Sequence, residues 1–185
     1  MAELCLVPIF VGVPLIDALR TRLEAVYPMR TRVRAPWFDA EACAEPARGQ
    51  YNSTLMLSQL LSDPLEKADR ILGVASVDLF IPILTYVFGE AQLNGRAAVV
   101  STYRLRSEIY GLAPDPERML ARLVKEAAHE LGHTFGLLHC PNPGCAMQAS
   151  TYSEDIDLKG ATLCDSCRAR LPAPASPPPD PRVRF

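Results

Sequence analysis

The pattern of hydrophobic and polar positions divides the first part of the chain into alternating strands and helices. Apolar runs of strand length alternate with segments whose apolar residues recur every three or four positions, the spacing of an amphipathic helix. The predicted elements are a strand at 4–11, a helix at 15–26, a strand at 30–35, a helix at 52–61 and a strand at 70–77. This order favours an α/β fold with a mixed, mostly parallel sheet packed by helices.

Two more strands and a long helix follow. Residues 86–102 predict a hairpin around the turn dipeptide Asn94-Gly95, and this hairpin would add an antiparallel edge strand to the sheet. The long helix begins at Asp115, a good N-cap residue, with Pro116 at the first helical position. Its core-facing residues are Met119, Leu120, Leu123, Val124, Ala127 and Leu131. The helix then runs directly into a group of histidines.

Composition limits the class of protein and its partners. The chain has 185 residues, enough for one hydrophobic core and too few for two substantial domains. Because its net charge is only −2, it has no field to recruit nucleic acid or an anionic membrane, and we expect neither as a partner. For the alternating Arg30, Arg32 and Arg34 a solvated outer face is favoured over an anion-binding patch.

The two ends of the chain are not expected to carry chemistry. The N-terminal apolar run contains Glu3, Pro8 and Pro14 and lacks a positively charged segment before it. It therefore does not fit a signal peptide, and we expect a cytoplasmic protein. Residues 171–185, LPAPASPPPDPRVRF, are rich in proline and cannot build a core, so they are predicted to form a disordered tail.

All three histidines lie in the stretch HELGHTFGLLHC, residues 129–140. His129 and His133 are four positions apart on the predicted helix, so their side chains leave the same face and can reach one metal ion. Glu130 is rotated about 100° around the helix axis and would lie beside that ion. Gly136 should end the helix in a left-handed turn, after which the chain can bring His139 back as a third ligand.

Three nitrogen ligands leave one tetrahedral position open, which is typical of a catalytic zinc. A zinc-bound water has a pKa of about 7 and can act as a nucleophile at neutral pH. The motif therefore predicts a metallopeptidase that hydrolyses peptide bonds by zinc-activated water, with Glu130 as the general base. Glu154 as the third ligand is the disfavoured alternative, because His139 already fits.

Four of the six cysteines form a second candidate site. They are Cys140 and Cys145 in C-x4-C spacing and Cys164 and Cys167 in C-x2-C spacing, as in structural zinc loops. Four thiolates leave no position for water, so this zinc should hold structure, and we favour it over disulfides or free thiols. Because Cys140 directly follows His139, loss of one metal should loosen the other. Cys5 and Cys43 are assigned no role.

The stretch HELGHTFGLLHCPNPGCAM, followed by CDSC, resembles the archaemetzincins, a family of metzincin-like zinc proteases. The resemblance implies a compact single-domain metzincin-like fold over residues 1–170, with a cysteine-zinc subregion at 140–170. It also implies two zinc ions per chain, one catalytic on the three histidines and one structural on the four cysteines. Met147 would be the methionine of the turn beneath the catalytic zinc.

The sequence departs from the wider metzincin pattern near this methionine. Met147 follows His139 by only eight residues, and Ala149 stands where some metzincins carry a tyrosine. The group that stabilises the oxyanion besides zinc is therefore unassigned. In metzincins the strand before the active-site helix binds substrate by β-augmentation, which would place the substrate on residues 97–101 here.

We expect a monomer that acts on peptides or small proteins, and two alternatives stay open. One is a protein that keeps the zinc geometry but is catalytically silent; Glu130 argues against it, because a pure zinc site needs no carboxylate there. The other is an interaction module whose cysteine loop docks a protein or nucleic acid. The weak net charge, −2, and the lack of a basic surface interleaved with aromatic residues argue against it.

Overall fold

The order of elements follows the alternation seen along the chain. The structure is a computed structural model that describes residues 2–171, so the predicted tail lies outside the described residues except for Leu171. Within this range the strands are β1 (Glu3–Ile9), β2 (Arg30–Val33), β3 (Ala44–Glu45), β4 (Gln50–Asn52), β5 (Arg70–Ala75), β6 (Leu79–Phe80), β7 (Gly89–Ala91) and β8 (Ala97–Ser101). The α-helices are α1 (Val13–Val26), α2 (Ser53–Leu60), α3 (Pro116–Thr134), α4 (Ser153–Leu158) and α5 (Asp165–Arg168).

The main sheet has the strand order β2-β1-β5-β8-β7. β1 pairs in parallel with β2 and β5, β5 pairs in parallel with β8, and β7 runs antiparallel to β8 at the edge. This topology confirms the predicted mixed, mostly parallel sheet with an antiparallel edge strand. The turn that connects β7 and β8 consists of Gln92–Arg96, and within it Asn94 has a φ of 54°.

The sequence analysis places a substrate strand beside β8, but β8 is not an edge strand of the main sheet. β8 is hydrogen-bonded to β5 on one side and to β7 on the other, so the expectation that a substrate would add to residues 97–101 is wrong. The edge strands of the main sheet are β2 and β7, and β7 is the edge strand next to β8. The flanking Phe88 and Gln92 bond to β8, and antiparallel alternation therefore turns the peptide groups of Gly89 and Ala91 away from β8.

A second, three-stranded sheet in the order β3-β4-β6 lies outside the sequence prediction. Its strands are two or three residues long, which is too short to show a hydrophobic period. α2 begins directly after β4, and the Asn52 side chain accepts a hydrogen bond from the Leu55 N–H as its N-cap. β4 of the small sheet thus leads directly into α2, the helix that covers one face of the main sheet.

The main sheet separates two hydrophobic cores. Successive residues of β1 point to opposite faces, as the period of a strand requires. Leu4 and Leu6 pack with the apolar stripes of α1 and α3, whereas Cys5 and Val7 pack with α2. α3 is therefore held against the sheet along its length. Among the described residues, none of the helices has both the length and the apolar character needed to cross a membrane.

Two of the three alternating arginines form ion pairs, so the expectation of a freely solvated face is wrong for them. Arg32 donates to Glu3 and to Glu66, and Arg34 donates to Glu66 as well. The Glu66 side chain is 1% exposed. A buried carboxylate is stable only when paired, and these arginines supply the charge that it needs.

We predict that Glu66→Gln lowers stability at neutral pH and has a smaller effect in acid. Burial raises the pKa of Glu66, but hydrogen bonds from the Ala68 N–H and from Arg34 lower it. The lowering is the larger effect, so the pKa of Glu66 in the folded protein lies below the ordinary 4.5. This stabilisation is complete above the ordinary pKa and is lost as the pH falls through the lowered folded value. We expect a loss of about 1–3 kcal/mol at pH 7, measured by urea unfolding.

Glu3→Gln is the matched control, because Glu3 also pairs with Arg32 but its side chain is 38% exposed. An exposed pair of this kind contributes at most about 1 kcal/mol. Equal losses for the two variants, or a loss for Glu66→Gln that does not shrink in acid, would contradict the account of this ion-pair network.

Candidate metal centres

The end of α3 is built so that the chain reverses over the helix. Gly136 has a φ of 83°, in the left-handed region, and its N–H donates to the His133 carbonyl at 2.9 Å. The Leu137 N–H donates to the Gly132 carbonyl at 3.1 Å. These two bonds form a Schellman motif, which satisfies the last carbonyls of the helix. The reversed chain brings His139 beside the histidines of α3.

The three histidines converge on one point. The ring centroids of His129 and His133 are 4.6 Å apart, and those of His139 lie 5.2 and 5.1 Å from them. One ring nitrogen of each residue lies within 4.8 Å of the other two. Glu154, the alternative third ligand, does not belong to this group.

Backbone carbonyls fix the tautomers of two of the rings. His129 Nδ1 lies 2.8 Å from the Ala146 oxygen, and His133 Nδ1 lies 2.8 Å from the Leu137 oxygen. Because a carbonyl can only accept, each Nδ1 donates and each Nε2 carries a lone pair. The two Nε2 atoms are 3.0 Å apart. Two lone pairs at this distance repel each other unless they share a cation, so the donor set fits a metal ion.

The protonation state of the rings agrees with this donor set. Burial lowers the pKa of His129 from 6.5 to about 2 and lowers the pKa of His133 as well. Both rings are therefore neutral over the physiological pH range. Neutral imidazole is the form in which histidine binds a metal.

Glu130 lies next to the histidines and is enclosed by the edge strand. Burial raises the pKa of its carboxyl well above the ordinary 4.5, and the charge of Glu126 raises it further. A Cβ placed on Gly89 would lie 2.7 Å from Glu130 Cγ and 2.8 Å from its Oε1. The Glu130 carboxyl therefore fits here only because residue 89 is a glycine, which has no side chain.

A cleft of about 840 Å³ opens in front of these residues. The three histidines and Glu130 lie on its floor, and Gly89 and Ala91 of β7 form part of one wall. Its larger apolar and aromatic lining residues are Ile81, Leu84, Tyr86, Val87, Phe88, Leu93, Leu138 and Tyr152. A cleft with apolar walls and a few convergent polar groups is the usual form of a ligand site.

Met147 is buried beneath α3, directly opposite Gly132. A Cβ on Gly132 would lie 2.2 Å from Met147 Sδ, so the sulfur packs directly against the helix backbone. The Met147 carbonyl accepts a hydrogen bond from the Cys140 N–H at 2.9 Å. Met147 is therefore tied both to α3 and to the start of the cysteine segment.

The four cysteines of the C-x4-C and C-x2-C motifs form the second group of candidate ligands. The sulfurs of Cys140, Cys145, Cys164 and Cys167 all lie within 4.8 Å of one another, and all are free thiols. The Cys140 and Cys164 sulfurs are 3.8 Å apart, well beyond the disulfide bond length of about 2.05 Å. A hydrogen bond with Ser166 lowers the pKa of Cys164 to about 6. Four convergent thiols are the donor set of a closed structural zinc site.

Three consecutive residues connect the two centres. Cys145 places its sulfur in the cysteine group, Ala146 offers its carbonyl to His129, and Met147 packs beneath α3. The Ala146 N–H donates to the Thr162 carbonyl at 2.9 Å, which fixes this segment against the second cysteine pair. The orientation of His129 therefore depends on the backbone that the cysteine group holds.

Three residues at this site are missed by reasoning from the sequence. Glu126 lies four residues before Glu130 on α3, and helical spacing could have identified it. Lys159 approaches His129 from a distant part of the chain, and Gly89 acts through a close backbone approach. Such contacts between separate segments leave no local pattern in a sequence.

Comparisons with known proteins agree with this geometry. The sequence profile of Peptidase family M54 matches residues 11–173. The archaemetzincin of Methanopyrus kandleri is 39% identical over 177 residues, which cover 91% of this chain and 95% of the relative. The archaemetzincin of Methanocaldococcus jannaschii is 45% identical over 125 residues, 68% of each chain.

Solved structures show the same similarity. A crystal structure of archaemetzincin from Archaeoglobus fulgidus has a TM-score of 0.78 at 33% identity, covering 91% of this chain and 99% of that one. A zinc-dependent peptidase from Methanocorpusculum labreanum has a TM-score of 0.79 at 31% identity, covering 92% and 100%. The predicted resemblance and fold class are confirmed: the chain is a zinc metallopeptidase and belongs to Peptidase family M54, the archaemetzincins.

Proposed function

We propose that the three histidines hold the catalytic zinc of this peptidase and that Glu130 is its general base. The observation that carries the proposal is the pair of Nε2 lone pairs of His129 and His133, 3.0 Å apart beside a buried carboxyl. A zinc ion held by these three histidines would supply a Lewis acid for the hydrolysis of a peptide bond. The positive charge of that ion would favour the ionised form of Glu130, whose carboxylate would accept a proton from the attacking water and deliver it to the nitrogen of the leaving amine.

The four cysteines hold a second, structural zinc in this proposal. Their sulfurs converge from two segments separated by α4, a region with few buried apolar side chains of its own. Metal binding would provide the stability that this small core does not. Cys145 and Cys167 belong to the same core cluster as the apolar residues of α1 and α3, which supports a single catalytic domain over residues 1–170 with a zinc-loop subregion at 140–170.

An extended peptide is the substrate that fits the cleft. The peptide groups of Gly89 and Ala91 face away from β8 and toward the cleft, so a substrate strand can pair with β7. Because Gly89 also touches Glu130, a paired backbone would pass close to the general base. The apolar walls of the cleft would receive side chains of the substrate.

Replacing Glu130 tests the proposal directly. We expect the zinc-loaded protein to cleave members of a diverse peptide library, read by mass spectrometry, and Glu130→Gln to cleave about 10²–10⁴-fold more slowly. Both proteins should hold two zinc ions per chain by elemental analysis. Glu117→Gln, an exposed change at the start of the same helix, is the control and should retain full activity.

The outcomes separate enzyme from silent binder. Cleavage by Glu130→Gln at the rate of the unmodified protein would contradict the role of Glu130. Two bound zinc ions without cleavage by either protein would favour a catalytically silent zinc protein.

Gly89→Ala should impair catalysis without removing the metal. The new Cβ would lie 2.6 Å from the Val99 carbonyl oxygen and within 3 Å of the Glu130 side chain, so the carboxyl must move. We expect a loss in kcat/KM of about 100-fold, the scale of a misplacement near 1 Å, with normal zinc content. Gly12→Ala is the control, because its Cβ would meet only Pro14 Cδ at 3.8 Å. Unchanged kinetics for Gly89→Ala would rule out this packing constraint.

Disturbing the cysteine group should weaken zinc binding at the histidines. Cys164→Ser removes one thiolate far along the chain from Ala146, so any effect on His129 must pass through the folded cysteine segment. We expect zinc affinity at the histidine site to fall about 10–100-fold, measured by competition with a chromophoric chelator. Cys43→Ser, a buried cysteine in the opposite core, is the control and should leave that affinity unchanged. Equal affinities for both variants would show that the two centres are independent.

A further inference from the structure

A buried ion pair lies beside the histidine site and has no part in the proposed chemistry. Lys159 Nζ is 2.6 Å from Glu126 Oε1, and the two side chains are 0% and 4% exposed. Glu126 lines the floor of the cleft, on the same helix as His129 and one turn before Glu130. A buried ion pair often adds little net stability compared with apolar side chains of similar volume. Its position in the site therefore needs a separate explanation.

The contacts of Lys159 indicate what the pair does. Its ammonium also donates to the Gln148 carbonyl at 3.1 Å and lies 3.5 Å from His129 Nδ1. The Nδ1–H of His129 is already directed at the Ala146 carbonyl, so Lys159 is its neighbour rather than its partner. One ammonium group thus joins α3, through Glu126, to the backbone that follows Ala146.

We propose that Lys159 is a positioning residue for His129. The Lys159–Glu126 pair holds residues 146–148 against α3, so that the Ala146 carbonyl keeps the proton of His129 on Nδ1 and leaves Nε2 free for the metal. The inference rests on the proposed function, because it assumes that His129 is a metal ligand. Second-sphere groups that orient a histidine ligand commonly change metal affinity when they are altered.

A pair that serves only stability would behave differently from one that positions the ring. Lys159→Met alone leaves the buried Glu126 without its ammonium partner and is expected to destabilise the fold. The double variant Lys159→Met with Glu126→Gln removes both charges at nearly constant volume and should recover much of that stability. It cannot restore the bond from the ammonium to the Gln148 carbonyl. A positioning role therefore predicts a stable double variant with a defective histidine site.

The experiment compares the full-length unmodified protein, the two Lys159 variants and a control while zinc stays in the cysteine group. Zinc affinity of the histidine site is measured by chelator competition, and the site is probed by the visible spectrum of Co²⁺. In protein freed of metal at the histidines, side-chain ¹⁵N spectra report the tautomer of His129. We expect zinc affinity about 10–100-fold weaker in both Lys159 variants, a shifted Co²⁺ spectrum and a reduced Nδ1–H population.

Lys125→Met is the matched control. Its ammonium likewise donates to two backbone carbonyls, those of Ile156 and Asp157, at 2.9 Å each, but it does not reach the histidines. We expect its zinc affinity, Co²⁺ spectrum and tautomer to match those of the unmodified protein. If Lys159→Met does not fold, the double variant carries the test.

Two failures can be told apart. A double variant with the affinity, spectrum and tautomer of the unmodified protein would overturn the positioning role of Lys159. If the unmodified protein binds no zinc at the histidines, the proposed function fails, and the positioning inference fails with it. Loss of affinity in Lys125→Met as well would also overturn the inference, since any tether of this region would then have the same effect.

Discussion

Two hydrogen bonds from histidine rings to backbone carbonyls organise the functional end of this molecule. The Ala146 and Leu137 carbonyls each accept from an Nδ1, and they thereby turn the Nε2 atoms of His129 and His133 toward one point. Each carbonyl has to be placed by a different device. Leu137 is placed by the left-handed turn at the end of α3, and Ala146 by the segment that follows Cys145, one of the four candidate cysteine ligands. The surrounding fold therefore serves to hold these two carbonyl oxygens in place.

That support is arranged in layers. The parallel strands β1, β5 and β8 bury α3 on one face of the sheet, which keeps the two helical histidines fixed relative to β7. β7 then places an open backbone edge beside Glu130, so one short strand limits the position of the proposed general base and forms the proposed pairing site for substrate. The cysteine segment has little core of its own and depends on its four converging thiols. The geometry of the histidine site thus depends on the sheet on one side and, in the proposed function, on a zinc-stabilised loop on the other.

The sequence reveals those parts of this design that repeat locally. The helical period predicts α1 and α3, and the spacing of His129, His133 and His139 is sufficient to predict that these three side chains converge. The short strands of the second sheet have no period to detect. Sequence order does not show that β7 covers β8, so the open edge is predicted at the wrong strand. Lys159 and Gly89 act through contacts between distant segments, and only three-dimensional packing reveals them.

Anomalous diffraction at the zinc edge, on crystals of the full-length protein, would test this account most directly. We predict two zinc positions per chain. One is bound by Nε2 of His129 and His133 together with a nitrogen of His139, while both Nδ1–carbonyl hydrogen bonds are kept; the other is bound by the four cysteine sulfurs. A zinc bound through His129 Nδ1, with the bond to the Ala146 carbonyl broken, would contradict the account. So would a single zinc position confined to the cysteines.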